Sequence, residues 1–183
     1  MEKFCRLFVA IDFTEEEKER LYRYGMIVRE NSAKGNFTHK ENLHLTLAFI
    51  GETRKKQEAE EALKEGVRKS RITPFAIETE KLGRFKNKGG DILWVGLKES
   101  PELTCLHEKI TECLIRQGFK MEEEKLKAHL TIGRCVVLNK TAAMEELSAA
   151  VPGMHIPVNA IHLMNSARID GKLTYSSLYR INL

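Results

Sequence analysis

A four-residue pattern occurs twice in this chain of 183 residues, as His44-Leu45-Thr46-Leu47 and again as His129-Leu130-Thr131-Ile132. Each copy lies in a short apolar run, over residues 43–50 and 128–137, with the composition of a β-strand. Alternate side chains of a strand share a face, so each histidine projects beside its threonine while the intervening side chains point into a core. The doubled pattern therefore predicts two motif strands that present two imidazoles and two hydroxyls on rigid backbone.

The composition is that of an ordinary globular domain. Apolar residues make up 42% and charged residues 31% of the chain, and its length suffices to bury a sizeable core. No apolar run is long enough to span a membrane, and the run at 7–11 is too short for the core of a signal peptide, so a cytoplasmic location is expected. The net charge of +4 permits a polyanionic partner without requiring one.

Neither a disulfide framework nor a metal site is indicated. The four cysteines show no C-x-x-C spacing and no paired pattern: Cys5, Cys105, Cys113 and Cys135. We expect them to be reduced structural thiols. The two motif histidines could ligate zinc, but such a site would want a third protein ligand, and none has recognisable spacing. The sequence also lacks a cluster of carboxylates for divalent cations, so no metal and no cofactor is expected.

The predicted elements follow the same order in the two halves of the chain. Thr14 and Glu17 form a capping box at the start of the first helix, Ser100-Pro101 begins a helix in the second half, and Asp170-Gly171 predicts a hairpin turn. Each half reads helix, motif strand, helix, strand, strand, and the motif histidines are 129 − 44 = 85 positions apart.

From this order we predict a single domain over residues 1–183, with motif 1 at 44–47 and motif 2 at 129–132. The expected fold is α+β, bilobal and duplicated, with two antiparallel-rich sheets flanked by helices around a central groove. The two motif strands would face each other across that groove. In detail, residues 31–42 are predicted as a polar loop, 83–90 as a loop between two strands, and 155–164 as one strand.

A pair of imidazoles suits acid–base chemistry at phosphorus. Histidine changes protonation near neutrality, so one ring can take a proton from a nucleophile while the other protonates the departing oxygen. Thr46 and Thr131 can donate hydrogen bonds to the non-bridging phosphate oxygens. We therefore predict His44, His129 and the two threonines as catalytic residues of phosphodiester cleavage. The residues alone do not rank the histidines as acid and base.

Two further residues are candidate substrate contacts. Arg134 suits a phosphate, but it lies five positions after His129, so a regular strand turns it to the opposite face. It reaches the site only where the strand bulges or ends. Phe85 lies in a basic segment that could line a nucleic-acid groove by phosphate attraction and stacking, although a solvated hairpin explains the same segment. The basic residues there are Lys81, Arg84, Lys86 and Lys88.

The remaining histidines are assigned no chemistry. His39 lies in the polar loop before motif 1, and His107 lies beside the apolar line of a helix, where packing explains it. His155 and His162 belong to the late strand, and His162 is expected to face outward between two apolar neighbours.

At its motif residues the chain resembles the two-histidine phosphoesterase superfamily. Within that superfamily it is similar to the bacterial and archaeal RNA 2′,3′-cyclic phosphodiesterases long called 2′-5′ RNA ligases. The similarity spans nearly the whole chain and is carried by segments 6–12, 42–51, 93–97 and 129–134, with Ser166 and Tyr175 late in the sequence. Relatives often have proline before the second histidine, where this chain has Ala128.

The resemblance implies metal-independent hydrolysis of a terminal RNA 2′,3′-cyclic phosphate to a 2′-phosphomonoester, with 2′-5′ ligation as a reverse reaction. It further implies that His44 donates a proton to the leaving 3′ oxygen and that His129 accepts a proton from water. Thr46 and Thr131 would hold the phosphate oxygens. The expected partners are RNA ends or nucleotides with a cyclic phosphate, no membrane is expected as a partner, and a monomer is expected.

Two alternatives stay open on the sequence. A relative with the same motif chemistry could cleave another small cyclic or 2′-5′ linked nucleotide. An RNA-binding module could keep the groove without turnover, although a pure binder would not need both imidazoles.

Overall fold

The computed structural model describes residues 4–121 and 125–183. Its elements, in chain order, are β1 (Cys5–Asp12), α1 (Glu15–Glu30), β2 (Ser32–Phe37), a 3-10 turn (Lys40–Asn42), β3 (His44–Thr53), α2 (Lys56–Ser70), β4 (Phe75–Phe85), β5 (Asp91–Leu97), α3 (Pro101–Arg116), β6 (His129–Leu138), α4 (Met144–Ala149), β7 (His155–Val158), β8 (Ala160–Ile169) and β9 (Lys172–Asn182).

The strands form two antiparallel sheets. The first has the order β3-β1-β8-β9 and the second the order β2-β6-β5-β4-β7. One face of each sheet packs into a common hydrophobic core with the helices, and the motif strands β3 and β6 lie against each other where the sheets meet. The prediction of an α+β fold with two antiparallel sheets is confirmed.

The motif strands hold matching positions in the two sheets, except that β3 is an edge strand whereas β6 also pairs with β2. Motif strand β3 pairs with β1, which pairs with β8, and motif strand β6 pairs with β5, which pairs with β4. Along the chain both halves follow the predicted order of helix, motif strand, helix, strand, strand, with β2 as an extra strand in the first half and β9 as an extra strand in the second. The pairing further shows that β5, beside motif strand β6, is the counterpart of β1 beside motif strand β3. Strands β2 and β4 of the first half of the chain join the second sheet, and β8 and β9 of the second half join the first sheet. Hydrophobic alternation indicates that a strand exists but not which strand it pairs with.

Several local predictions are confirmed by capping hydrogen bonds and by backbone angles. The Thr14 hydroxyl accepts from the Glu17 N–H at 3.3 Å while the Glu17 carboxylate accepts from the Thr14 N–H at 2.8 Å, so the capping box is complete. Ser100 caps α3 with proline in its first turn. The turn between β8 and β9 places Asp170 and Gly171 at φ of 49° and 77°, the left-handed conformations that a tight hairpin needs.

Three boundaries were predicted wrongly. Residues 32–37 form the edge strand β2 rather than a loop. The sequence does not reveal this strand because only its last residue, Phe37, packs against the core, so the segment lacks the apolar alternation of a half-buried strand. Strand β4 continues to Phe85, which shortens the expected loop at 83–90. The single strand expected at 155–164 is two strands, β7 and β8, in different sheets. No described helix is both long enough and apolar enough to cross a membrane.

Candidate active site

His44 begins β3 with its ring held at both nitrogens. Its Nδ1 lies 2.7 Å from the carbonyl oxygen of Asn42 and its Nε2 lies 2.9 Å from the Thr46 hydroxyl. A carbonyl only accepts, so Nδ1 carries the proton of the neutral ring, and Nε2 accepts from Thr46. The Asn42 side chain donates to the Leu173 carbonyl at 2.8 Å, which fastens this support to β9. Nε2 is therefore the nitrogen available for proton transfer.

His129 begins β6 in the same way. Its Nδ1 donates to the carbonyl oxygen of Lys127 at 2.5 Å, two residues earlier, as in the first motif. The ring is half-buried, and residue 129 pairs with Gly96 across β5 while Thr131 pairs with Trp94. Paired residues share a face, so Thr131 lies on the face of His129, away from the core. Both motifs thus fix one imidazole nitrogen on a backbone carbonyl and leave the other for chemistry.

Arg134 lies on this same face because β6 bulges. Thr131 pairs with Trp94 but Gly133 pairs with Leu93, so one residue of β6 is extra. Ile132 and Gly133 are consequently both turned to the core, and the next residue, Arg134, returns to the side of His129. A regular strand would turn Arg134 to the opposite face, and the sequence predicts that it reaches the site only where the strand bulges or ends. The bulge is present, so Arg134 lies on the side of His129.

Arg134 also connects the two histidines electrostatically. Its positive charge lowers the pKa of His44 and the pKa of His129. We call the surface that holds the two histidines, the two motif threonines and Arg134 the motif groove. It lies where β3 and β6 meet, so all five residues predicted there are brought to one region of the molecule.

Aromatic rings flank the two histidines of the motif groove. Phe8 and Tyr175 each lie 5.0 Å from the His44 ring, centroid to centroid, with Tyr175 edge-on at 89°. On the other side Phe85 lies 5.2 Å from the His129 ring, also edge-on at 89°, and Trp94 lies at 5.9 Å. These rings shield the imidazoles from water and restrict their orientation. Phe85, predicted as a substrate contact, packs against His129.

Burial dominates the titration of both histidines. It lowers the pKa of His44, against the raising effects of the Asn42 carbonyl and of the Asp12 carboxylate. It also lowers the pKa of His129, which the Lys127 carbonyl opposes. Both rings are therefore neutral near pH 7 in the free protein, and Nε2 of each is an unprotonated base.

Sequence reasoning did not identify the groups that support the histidines. Asp12, at the end of β1, is the strand partner of His44 on β3. Its carboxylate forms an ion pair with the buried Lys18 at 2.8 Å. Phe8 and Trp94 are visible in the sequence only as members of apolar strands, with no motif to mark them. The carbonyls that orient the imidazoles carry no sequence signal at all, because every residue has one.

The four histidines outside the two motifs lie in different surroundings. His39 is exposed, as expected, and His155 lies 3.7 Å from the Glu78 carboxylate on an exposed edge. The His107 Nδ1 lies 2.8 Å from the Leu47 carbonyl, so it bonds to β3 as well as packing. His162 pairs with Ala10 and lies beside the Ser177 hydroxyl at 2.9 Å, on the groove side of the first sheet. No three His, Cys, Asp or Glu side chains gather as metal ligands within residues 4–121 and 125–183.

The basic segment of the β4–β5 hairpin is only partly available for anions. Arg84 pairs with Asp91 at 3.3 Å. Lys81, Lys86 and Lys88 are exposed and form no ion pair with a described carboxylate. The hairpin adjoins the motif groove through Phe85.

Comparisons with known proteins agree with this geometry. The profile of the 2′-5′ RNA ligase superfamily matches residues 23–170. An RNA 2′,3′-cyclic phosphodiesterase of Archaeoglobus fulgidus is 36% identical over 132 residues, which cover 70% of this chain and 72% of that protein. A protein of the same description from Methanocaldococcus jannaschii is 33% identical over 77% of this chain and 78% of its own length.

Among solved structures, Escherichia coli LigT complexed with 3′-AMP has the same fold. The TM-score is 0.77, with 24% identity over 99% of each chain. This likeness extends over the described sheets and helices together.

Proposed function

The chain belongs to the 2′-5′ RNA ligase superfamily, and we propose that it hydrolyses RNA 2′,3′-cyclic phosphates to 2′-phosphomonoesters with its two motif histidines as the catalysts. The observation that carries the proposal is the matched setting of His44 and His129. Each has Nδ1 on the carbonyl two residues before it, and both lie within the field of Arg134. The relatives described as RNA 2′,3′-cyclic phosphodiesterases support the reaction class.

In the proposed reaction, neutral His129 accepts a proton at Nε2 as water attacks phosphorus. The new P–O bond forms opposite the P–O3′ bond that breaks, and His44, protonated at Nε2, donates its proton to O3′. The product carries a phosphate on O2′ and a free 3′ hydroxyl. The two histidines exchange protonation states in one turnover, and solvent restores them.

The threonines and Arg134 hold the non-bridging oxygens. Thr46 already donates to Nε2 of His44, so its hydroxyl lies where a phosphate oxygen would meet that nitrogen. Thr131 holds the equivalent place on β6. The Arg134 guanidinium offers charge-assisted hydrogen bonds to an anion that gains charge in the transition state. We propose these contacts without a metal ion, since the residues supply both the protons and the positive charge.

The 2′-5′ ligation reaction would use the same groups. A 5′-hydroxyl of a second RNA can take the place of water, with His129 accepting its proton, and the product is then a 2′-5′ phosphodiester. The description of the matching family favours this second activity. Two earlier expectations, a cytoplasmic location and a monomeric state, remain predictions that cell fractionation and analytical ultracentrifugation can check.

Product analysis tests the proposed function. The purified protein is incubated with an RNA oligonucleotide ending in a 2′,3′-cyclic phosphate, with and without EDTA. Its product is compared with synthetic 2′- and 3′-phosphate ends. We expect the 2′-phosphate at the same rate in both conditions. A 3′-phosphate would reverse the proposed regiochemistry, loss of activity in EDTA would refute metal independence, and binding without turnover would favour the RNA-binding alternative.

A further inference from the structure

A polar cluster on β8 and β9 lies on the same sheet as motif 1, and the proposed mechanism uses none of its members. The Ser177 hydroxyl lies 2.9 Å from Nδ1 of His162. Arg180 is the strand partner of His162, and its guanidinium lies close enough to lower the pKa of that ring. We call His162, Ser177 and Arg180 the β8–β9 cluster.

The strand register places this cluster in line with the motif groove. Thr46 of β3 pairs with Ala10 of β1, next to a bulge of β3 at residues 47–48. Ala10 pairs in turn with His162, and His162 pairs with Arg180. Paired residues share a face, so this row runs across the groove side of the sheet. Neighbouring strands are about 4.8 Å apart, which puts His162 about 10 Å from Thr46.

The surface between the two polar ends of the row is low and apolar. Ala10 lies between Thr46 and His162, and its methyl group does not rise between them. It packs with Phe8 and Met164 in one small buried cluster. A ribose can therefore lie across this floor, with polar groups at both of its ends.

The charge at the β8–β9 cluster is positive. Arg180 is exposed, and its guanidinium has no ion-pair or hydrogen-bond partner within residues 4–121 and 125–183. Asp12 is the carboxylate that acts on His162, but Lys18 neutralises it through an ion pair at 2.8 Å. The Lys18 side chain is 9% exposed, so this pair is shielded from solvent, and Arg180 is the cation left for an anionic ligand.

The His162 ring offers a second donor. The Ser177 hydroxyl lies 2.9 Å from Nδ1 of His162 and 3.4 Å from the Tyr179 carbonyl oxygen. When it donates along the shorter contact, the neutral ring carries its proton at Nε2. Burial lowers the pKa of His162, so the ring is neutral near pH 7 in the free protein. Its Nε2–H and the Arg180 guanidinium can then donate to the same anion.

We propose, on the basis of the proposed function, that the β8–β9 cluster binds the phosphodiester on the 5′ side of the terminal nucleotide of the RNA. The proposed mechanism puts O3′, and with it the ribose, beside His44 on the first sheet. The 5′ carbon of that ribose then leads across Ala10 towards His162 and Arg180. An RNA chain carries a phosphate at this place, whereas a nucleoside cyclic phosphate carries none.

The cluster thereby makes the protein select RNA ends over mononucleotides. The cyclic phosphate is held in the motif groove and the preceding phosphate is held by Arg180 and His162. Phosphate contacts of this kind fix the register of a nucleic acid without reading its sequence.

The test compares two dinucleotides that differ only in the charge of this linkage. Each has 2′-deoxyadenosine followed by adenosine 2′,3′-cyclic phosphate, and the linkage is a phosphodiester in one and an uncharged methylphosphonate in the other. We expect wild-type kcat/KM to be higher on the phosphodiester by about 10- to 150-fold, the weight of a hydrogen bond to a charged group. Arg180→Gln should lower this ratio by about 10-fold or more, and Arg180→Lys, which keeps the charge, should lower it less.

A mononucleotide separates the two sources of a phosphate at this place. Adenosine 5′-phosphate 2′,3′-cyclic phosphate carries a monoester where RNA carries a phosphodiester. We expect its kcat/KM to be lower than that of the phosphodiester dinucleotide. A higher value would overturn the assignment of the cluster to RNA in favour of a 5′-phosphorylated mononucleotide.

Two neighbouring serines provide a matched pair of variants. Ser177→Ala removes the partner of His162 Nδ1 and should lower the ratio of the two dinucleotides. Ser176 is also exposed, but consecutive strand residues point to opposite faces, so Ser176→Ala should leave the ratio unchanged.

The stacked outcomes separate the subsite from the proposed function. A wild-type ratio near one, or a ratio unaltered in both Arg180→Gln and Ser177→Ala, would overturn the phosphate subsite while the proposed function stands. An equal loss in Ser176→Ala and Ser177→Ala would overturn the role of the His162–Ser177 contact. Wild-type protein that hydrolyses neither dinucleotide would instead refute the proposed function. Melting curves followed by circular dichroism establish that each variant is folded.

Discussion

Arg134 shares the sheet face of His129 although an odd number of positions separates the two residues in one strand. The extra residue between Thr131 and Gly133 restores the phase. Strand geometry thereby delivers a cation to a pair of imidazoles, where it opposes their protonation and can neutralise a bound phosphate. In the proposed mechanism, anion binding and proton transfer therefore both depend on this one bulge.

Replacing Arg134 by glutamine removes that cation while keeping a polar side chain. A hydrogen bond to a charged group is worth about 1.5–3 kcal/mol, so we expect kcat/KM on a cyclic nucleotide to fall by roughly 10- to 150-fold. Steady-state kinetics on purified protein measures the loss. Arg29→Gln, on the exposed side of α1, should behave as wild type, and an equal loss in both variants would argue against a specific phosphate contact.

Loss of either motif histidine should remove one half of the proton transfer. We expect His44→Ala and His129→Ala each to lower kcat by about 10²- to 10⁴-fold, the contribution of one general acid or base, with little change in unfolding temperature. The double variant should be scarcely slower than either single variant, because the two groups act as a unit.

His39→Ala is the control for these variants, since His39 is exposed and lies outside the motif groove. A wild-type rate in His44→Ala or His129→Ala would remove that residue from its role.

The pH profile should be displaced in a predictable direction. Burial lowers the pKa of His44 and of His129 below the ordinary histidine value of about 6.5, and activity requires one ring protonated and the other neutral. We therefore expect a bell-shaped profile of kcat/KM with its maximum below about pH 6.5, in which the two apparent values belong to the coupled pair.

Substrate binding should shift this profile. A bound phosphate anion stabilises imidazolium, so the profile of kcat should have its maximum at higher pH than that of kcat/KM. Arg134→Gln should also move the kcat/KM maximum to higher pH, because its positive charge lowers both pKa values. A kcat/KM maximum above pH 7 in the wild type would contradict the effect of burial.

Gly83 provides room for the indole that supports His129. A Cβ added at this position would overlap the six-membered ring of Trp94, whose centroid lies 5.9 Å from the His129 ring. We expect Gly83→Ala to lower the free energy of unfolding by about 1–3 kcal/mol, the usual cost of overpacking, and to lower kcat as well. Urea denaturation and steady-state kinetics measure the two effects.

Gly89→Ala, in the neighbouring turn, is the matched control because a Cβ there would meet nothing within 4 Å. A Gly83→Ala protein with wild-type stability would show that Trp94 moves without cost.

The sequence was sufficient for the parts of the site that repeat. Both motifs, the fold class, the capping box at Thr14 and the hairpin at Asp170 follow from local patterns, since each depends on residues close in the chain. The duplicated origin of the two lobes stays a prediction, supported by the matching order of strands around β3 and β6. The crossing of β4 and β8 between sheets could not be read, because it depends on partners far away in the sequence.

The bulges were also beyond sequence reasoning, although one sign was present. Gly133 interrupts an apolar strand, as glycine often does at a bulge, and a Cβ there would lie 2.9 Å from the Val136 side chain. No such residue marks the bulge at Leu47 and Ala48. Its consequence, an exposed Phe49, is visible only once the pairing with β1 is known.

The central claim is that the two histidines act on one phosphorus atom, and the most direct measurement is a crystal structure with uridine 2′,3′-cyclic vanadate, a pentavalent mimic of the transition state. We predict Nε2 of His44 within about 3.2 Å of the ribose oxygen at one apex. Nε2 of His129 should lie equally close to the oxygen at the opposite apex. A complex in which only one imidazole reaches the vanadate oxygens, or in which both lie on the same side of vanadium, would contradict the account.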